Sequence, residues 1–156
     1  MIIKHTLLAF AAACTVAYAA DTPGSNPNLP AVTVQQRLDN ARKAIDAKEW
    51  SRAMTELNVA LREDPRNVEV HNLMGYSYRK RATPDMGKAF EHYNAALKID
   101  PRHKGVHEYI GEAYLMEKKP AEAEKHLAEL EKICGNKTCE EYADLAKSIA
   151  AYKAKN

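Results

Sequence analysis

The sequence predicts an all-α protein: a stack of helix–turn–helix units closed by a final helix, about seven helices in all. Three observations carry this. Residues 53–65 (AMTELNVALREDP) and 89–101 (AFEHYNAALKIDP) agree at six of thirteen positions, so one structural phrase is written twice. From Val34 onward, apolar residues recur at spacings of three and four, the signature of helices with one buried face. Breakers punctuate the pattern at helix-length intervals: Asp64-Pro65, Thr83-Pro84, Asp100-Pro101, Lys119-Pro120 and Gly135. Proline suits a helix's first turn and is hostile to its interior, so these positions mark helix ends.

The first twenty residues are of another kind. Lys4 and His5 precede the apolar run TLLAFAAACTVAYAA, which is shorter than the ~20 residues a bilayer requires. A cationic start, a short apolar core and the pattern Ala17-Tyr18-Ala19 read as a secretory signal peptide over 1–20. Cys14 after three alanines also resembles a lipoprotein cleavage site, although Ala11 stands where a bulky aliphatic is usual and the apolar run continues past it. Membrane contact is expected only if Cys14 carries lipid. DTPGSNPNLP (21–30) has three prolines and a glycine in ten residues, so 21–32 reads as a flexible linker.

Folded structure is expected from Thr33, where T-V-Q-Q matches a capping box. Val34, Leu38, Ala41 and Ile45 form the first apolar face, and Ala53, Leu57, Ala60 and Leu61 the second. Leu73, Met74 and Tyr78, then Ala89, Tyr93, Ala96 and Leu97, form the next pair. Ile110, Ala113 and Tyr114, then Ala123, Leu127 and Leu130, form the third. HNLMGYSY (71–78) and HEYIGEAY (107–114) lie 36 residues apart, whereas Ala41 to Gly75 and Ala89 to Ala123 are each 34. Only the longer offsets cross residues 80–85. The period is therefore 34, with two extra residues in the turn around Arg81–Pro84.

A 34-residue period with this pattern resembles the tetratricopeptide repeat family. His71-x2-Met74-Gly75-x2-Tyr78 followed by Ala89-x3-Tyr93, Ala96 and Pro101 matches its signature. So does His107-x2-Ile110-Gly111-x2-Tyr114 followed by Ala123-x3-Leu127. The first unit is degenerate in its leading helix but keeps Trp50, Ala53, Leu57, Ala60 and Pro65; the third departs at Leu130 and Gly135. The resemblance implies three repeats over 33–137 (34–67, 68–103 and 104–137), with 138–156 as a capping helix and tail. Gly75 and Gly111 are expected to let helices approach closely beside large residues.

Gly135 suits a helix C-cap, and Thr138-Cys139-Glu140-Glu141 reads as another capping box, so a last helix is expected from about Cys139 to Tyr152. If Cys14 leaves with the signal peptide, Cys134 and Cys139 are the two cysteines of an exported chain, which favours a disulfide. A redox pair or a metal site is the alternative, without the usual C-x-x-C spacing.

Catalytic motifs are absent: there is no G-x-x-x-x-G-K, G-x-G-x-x-G, H-E-x-x-H or G-x-S-x-G. A net formal charge of +2 argues against a nucleic-acid footprint. His103 and His107, four apart, could share a metal, although packing explains them as well; Met54, Met74, Met86 and Met116 read as core filler. Neither an enzyme, nor a cofactor, nor a metal is expected.

In the resembled family the first helix of each pair lines a concave groove for a peptide. Carried across, the groove residues are Gln35, Leu38, Arg42 and Ile45; Glu69, Asn72, Tyr76 and Arg79; Glu108, Glu112 and Leu115. The Lys/Asn clamp for a C-terminal carboxylate is missing, since Leu38 and Arg42 hold its leading places. Arg42 and Arg79 toward one end and Glu108 and Glu112 toward the other predict a partner segment of opposite polarity, anchored at Tyr76. The expected function is a non-catalytic scaffold or assembly factor of the cell envelope, exported and periplasmic, or alternatively a lipoprotein there. The alternative function is a small periplasmic metal- or redox-handling protein using Cys134, Cys139 and the histidines.

Overall fold

The computed structural model describes residues 32–155. The segment read as signal peptide, Cys14 and nearly all of the linker lie outside these residues. Among the described residues there are seven helices and no strand: α1 (Val34–Asp46), α2 (Trp50–Glu63), α3 (Val68–Lys80), α4 (Met86–Ile99), α5 (Lys104–Met116), α6 (Pro120–Cys134) and α7 (Glu140–Lys153). None of them is long and apolar enough to cross a membrane.

The helix ends follow from local chemistry. Thr33 caps α1 in a full capping box with Gln36. Asn67 and Asp85 accept from the first-turn amides of α3 and α4, and Pro120 opens α6. The repeated Asp-Pro phrase is a turn device: Asp64 Oδ1 accepts from Arg66 N at 3.2 Å, and Asp100 Oδ1 from Arg102 N at 2.9 Å. In each, the proline stops the helix and the carboxylate closes the turn. Gly135 ends α6 at φ 70°, where a side chain is disfavoured. The second box does not form. Thr138 turns back to Asn136 Oδ1 at 2.9 Å, and Cys139 caps α7 without a side-chain bond.

Residues 47–49 and 117–119 connect α1 to α2 and α5 to α6; residues 81–85 connect α3 to α4, two residues longer. The extra pair therefore sits where the shift from 34 to 36 places it.

Consecutive helices pack in antiparallel pairs, while α1, α3, α5 and α7 also pack side by side in a row. Three apolar clusters result, around Leu57 and Val70, around Tyr93 and Ile110, and around Leu130 and Leu145. Small residues set the close crossings. A Cβ on Gly75 would lie 2.5 Å from the Tyr93 ring of α4, and one on Gly111 would lie 2.6 Å from Leu145 of α7. The large residue facing Gly75 is thus Tyr93, across the crossing on α4. The last helix covers the third pair, as a terminal cap must. Met116 is 48% exposed rather than core filler.

Candidate partner-binding face

Polar links between α1, α3, α5 and α7 run along one face. Arg42 Nη2 donates to Glu69 Oε1 at 2.8 Å, tying α1 to α3. His103, the N-cap of α5, reaches Glu69 Oε2 at 3.3 Å through Nε2, while its Nδ1 accepts from Val106 N at 3.2 Å. The Glu69 hydrogen bond raises the His103 pKa. Burial works to raise that of Glu69, but hydrogen bonds from His103, Arg42 and Asn72 prevail and lower it. Arg79 Nη2 lies 2.7 Å from Glu112 Oε2, and Ser148 Oγ on α7 donates to Glu112 Oε1 at 3.1 Å. Lys104 and Glu141 pair at 3.5 Å. The rings of Tyr76 and Tyr109 meet at 4.9 Å, with the Arg79 guanidinium 5.3 Å from the first and 5.6 Å from the second.

Several groove residues expected from the resemblance are placed differently. Leu38 (3% exposed) and Leu115 (8%) belong to apolar clusters, because the first helix of each pair touches both its own partner and the next first helix. Asn72 and Arg79 are also buried. Gln35 is exposed and bonded to Asp39 at 3.0 Å. Ile45 is a buried core residue that still reaches the surface of a cavity shared with Arg42, Asp46, Glu69, Asn72, Leu73, Tyr76 and Tyr109.

The expected charge polarity is corrected too. Arg79 is spent on Glu112, and Arg42 on Glu69 and Asp39. Glu108 holds no cation among the described residues. Burial pushes its pKa up to about 7, helped by the carboxylates of Glu112, Asp144 and Glu141 and opposed by Arg79. Tyr109 beside it is pushed up to about 12, first by burial. Outward, this face offers the Glu108 carboxylate and the Tyr76–Tyr109 rings, with the exposed Lys80 ammonium 5.9 Å from the Tyr76 ring. Beneath it, the buried Oδ1 of Asn72 and Oγ of Ser77 have no hydrogen-bond partner among the described residues.

His103 and His107 do not converge. His103 caps α5, while His107 turns its Nδ1 to His126 Nδ1 at 2.9 Å and its Nε2 to the Pro101 carbonyl at 3.0 Å. His71 does the same with His92 at 3.1 Å and the Pro65 carbonyl at 3.1 Å. His92 and His126 carry half of each arrangement, and motif reading passed over them. Their signal was the repeat register, since 92 and 126 are 34 apart.

Cys134 and Cys139 are joined by a disulfide with Cα atoms 6.3 Å apart. Glu141 lies near, and its carboxylate with the two sulfurs forms the sole grouping of three potential metal-ligand atoms within 4.8 Å among the described residues. Sulfurs bonded to each other are not thiolate ligands.

No family model matches the chain, and no curated protein matches it. Among solved structures, the fold is similar to that of the Yersinia enterocolitica type III secretion translocator chaperone SycD in an alternative dimer form. The TM-score is 0.69 and the identity 18%, over 82% of this chain and 97% of that one. At that identity the likeness is one of fold: a tetratricopeptide-like stack of helices.

Proposed function

We propose that this chain is a non-catalytic binding module that holds a segment of another protein along the α1–α3–α5–α7 face, acting as a scaffold or assembly factor of the cell envelope. The carrying observation is the contrast within that face. Its arginines are neutralised by the fold's own carboxylates, while Glu108 lacks a cation beside the Tyr76–Tyr109 pair. Paired aromatics beside an acid without a cation suit a partner segment carrying a lysine or arginine. The aliphatic stem of such a side chain lies over the rings while its cationic end reaches the carboxylate. The similarity in fold to a translocator chaperone supports a role in handling another protein. Export to the periplasm rests on the signal-like first twenty residues.

The test is crosslinking in intact cells from a photoreactive residue at position 76, compared with one at exposed Lys98 on α4. Partners captured from 76 and not from 98, and lost on Glu108→Lys, support the reading. Identical capture from both positions would refute it.

A further inference from the structure

The two histidine pairs have a protonation pattern that the geometry determines. A carbonyl oxygen only accepts, so His71 Nε2 must carry a proton for Pro65, and His107 Nε2 must carry one for Pro101. A neutral imidazole has one N–H, so the Nδ1 of each of these rings is an acceptor. The facing Nδ1 atoms of His92 and His126, at 3.1 and 2.9 Å, must then be the donors. One chain of hydrogen bonds runs from α4 through α3 to the Pro65 turn, and its copy runs from α6 through α5 to the Pro101 turn.

A shared metal ion is the other chemistry that brings imidazole nitrogens together. Neither pair has a third ligand atom beside it: among the described residues the sole group of three lies at Cys134, Cys139 and Glu141.

The surroundings of His92 and His126 disfavour their charged forms. His92 stacks on Tyr78 and His126 on Tyr114. Burial, then the facing histidine, lowers the pKa of His92 and brings that of His126 down to about 4. The charged groups near the first pair are Lys88 and Glu91 on α4, with Arg81 beyond the Tyr78 ring. Those near the second are Glu122, Lys125 and Glu129 on α6. The turns supply the Pro65 and Pro101 carbonyls and also carry Asp64 and Arg66, and Asp100 and Arg102.

We infer that the two pairs are proton-operated latches, each closing one helical hairpin while its inner nitrogens share a single proton and opening it when both inner nitrogens are protonated. The first added proton enters on the outer nitrogen of His92 or His126 and leaves the N–H···N bond intact. The second must enter on the Nδ1 of His71 or His107, where it sets N–H against N–H. The two steps belong to each pair as a unit. Because α3 and α5 carry Tyr76, Glu108 and Tyr109, acid loosens the helices of the proposed binding face.

Long-range proton–nitrogen spectra of the whole chain at about pH 7.5, above the ordinary histidine range, test the premise. His71 and His107 should carry their proton on Nε2, and His92 and His126 on Nδ1. Either of the first two protonated on Nδ1 would overturn the inference. Amide hydrogen exchange during acidification then tests the latch. Protection in α3–α6 should be lost cooperatively below the ordinary histidine range. His92→Gln with His126→Gln keeps an N–H donor that can rotate to present its oxygen. That double variant should move the loss down by about one pH unit. An unmoved midpoint, with protection lowered equally at every pH, would reduce the pairs to packing.

Discussion

Arg79 is held from two helices at once: its Nε donates to Tyr93 Oη at 3.3 Å while its Nη2 sits 2.7 Å from Glu112 Oε2. The arginine side chain is 4% exposed and the glutamate 26%. Breaking such a pair costs most when the deeper charge is the one left behind. Glu112→Gln should therefore destabilise the fold by about 2 kcal/mol or more, and by more than Arg79→Met, since Glu112 retains Ser148 and water. Urea denaturation of the two variants gives the order; the reverse order would contradict the assignment.

Gly75 faces a ring that cannot yield. Tyr93 is fully buried and tied to Arg79, so a methyl placed 2.5 Å from its ring must displace a helix. Gly75→Ala is expected to cost about 1–3 kcal/mol. Gly87→Ala, whose added carbon meets only Asp85 Oδ1 at 3.6 Å, should be neutral or stabilising. Thermal unfolding followed by circular dichroism compares the two.

Glu108 gives a pH dependence with a definite sign. Its pKa rises on folding, from the usual 4.5 to about 7, so the native state binds more protons across that window. Its contribution favours folding below the unfolded value and is lost as pH rises through 7. Glu108→Gln should leave the melting temperature near pH 4 almost unchanged and raise it near pH 8. His126 acts oppositely. Its depressed pKa, about 4, gives stability that is complete above the ordinary histidine value and fades as pH falls toward 4. Melting curves of Glu108→Gln across this range remove the glutamate term and leave that of His126 together with those of His92, His103 and Glu69.

Lys48 and Lys118 each take φ 58° at the middle of a three-residue turn. The turns are copies: Lys48 N bonds Ile45 O at 2.8 Å, and Lys118 N bonds Leu115 O at 3.1 Å. A side chain in that region costs roughly 1–2 kcal/mol, which glycine avoids at some expense in chain entropy. Lys118→Gly should raise stability by a few tenths to about 1 kcal/mol. Lys118→Val should lower it, and chemical denaturation measures both.

Helix number, turn positions and the longer α3–α4 connection were legible because period and punctuation are local properties. Asp64-Pro65 and Asp100-Pro101 announce their turns whatever packs around them. The last capping box was misread for a tertiary reason. The Cys134–Cys139 bridge draws the chain tightly around Gly135, and Thr138 is left facing Asn136 rather than the helix. Groove residues were legible only in part. A helical wheel locates a face but does not say how many neighbours cover it, so Leu38 and Leu115 counted as surface while α3 and α7 hid them.

The sequence alone determined that this chain is a stack of paired helices, since a repeated spacing of small, large and helix-breaking residues admits one economical way to bury its apolar stripes. Only the tertiary structure decided which charges remain available. Arg79 and Glu112 are 33 residues apart, and their pairing, like that of each histidine with its facing partner, depends on the angle at which two helices cross. Coulombic and hydrogen-bond energies fall steeply with separation, so a crossing determines whether two such groups cancel each other or face outward.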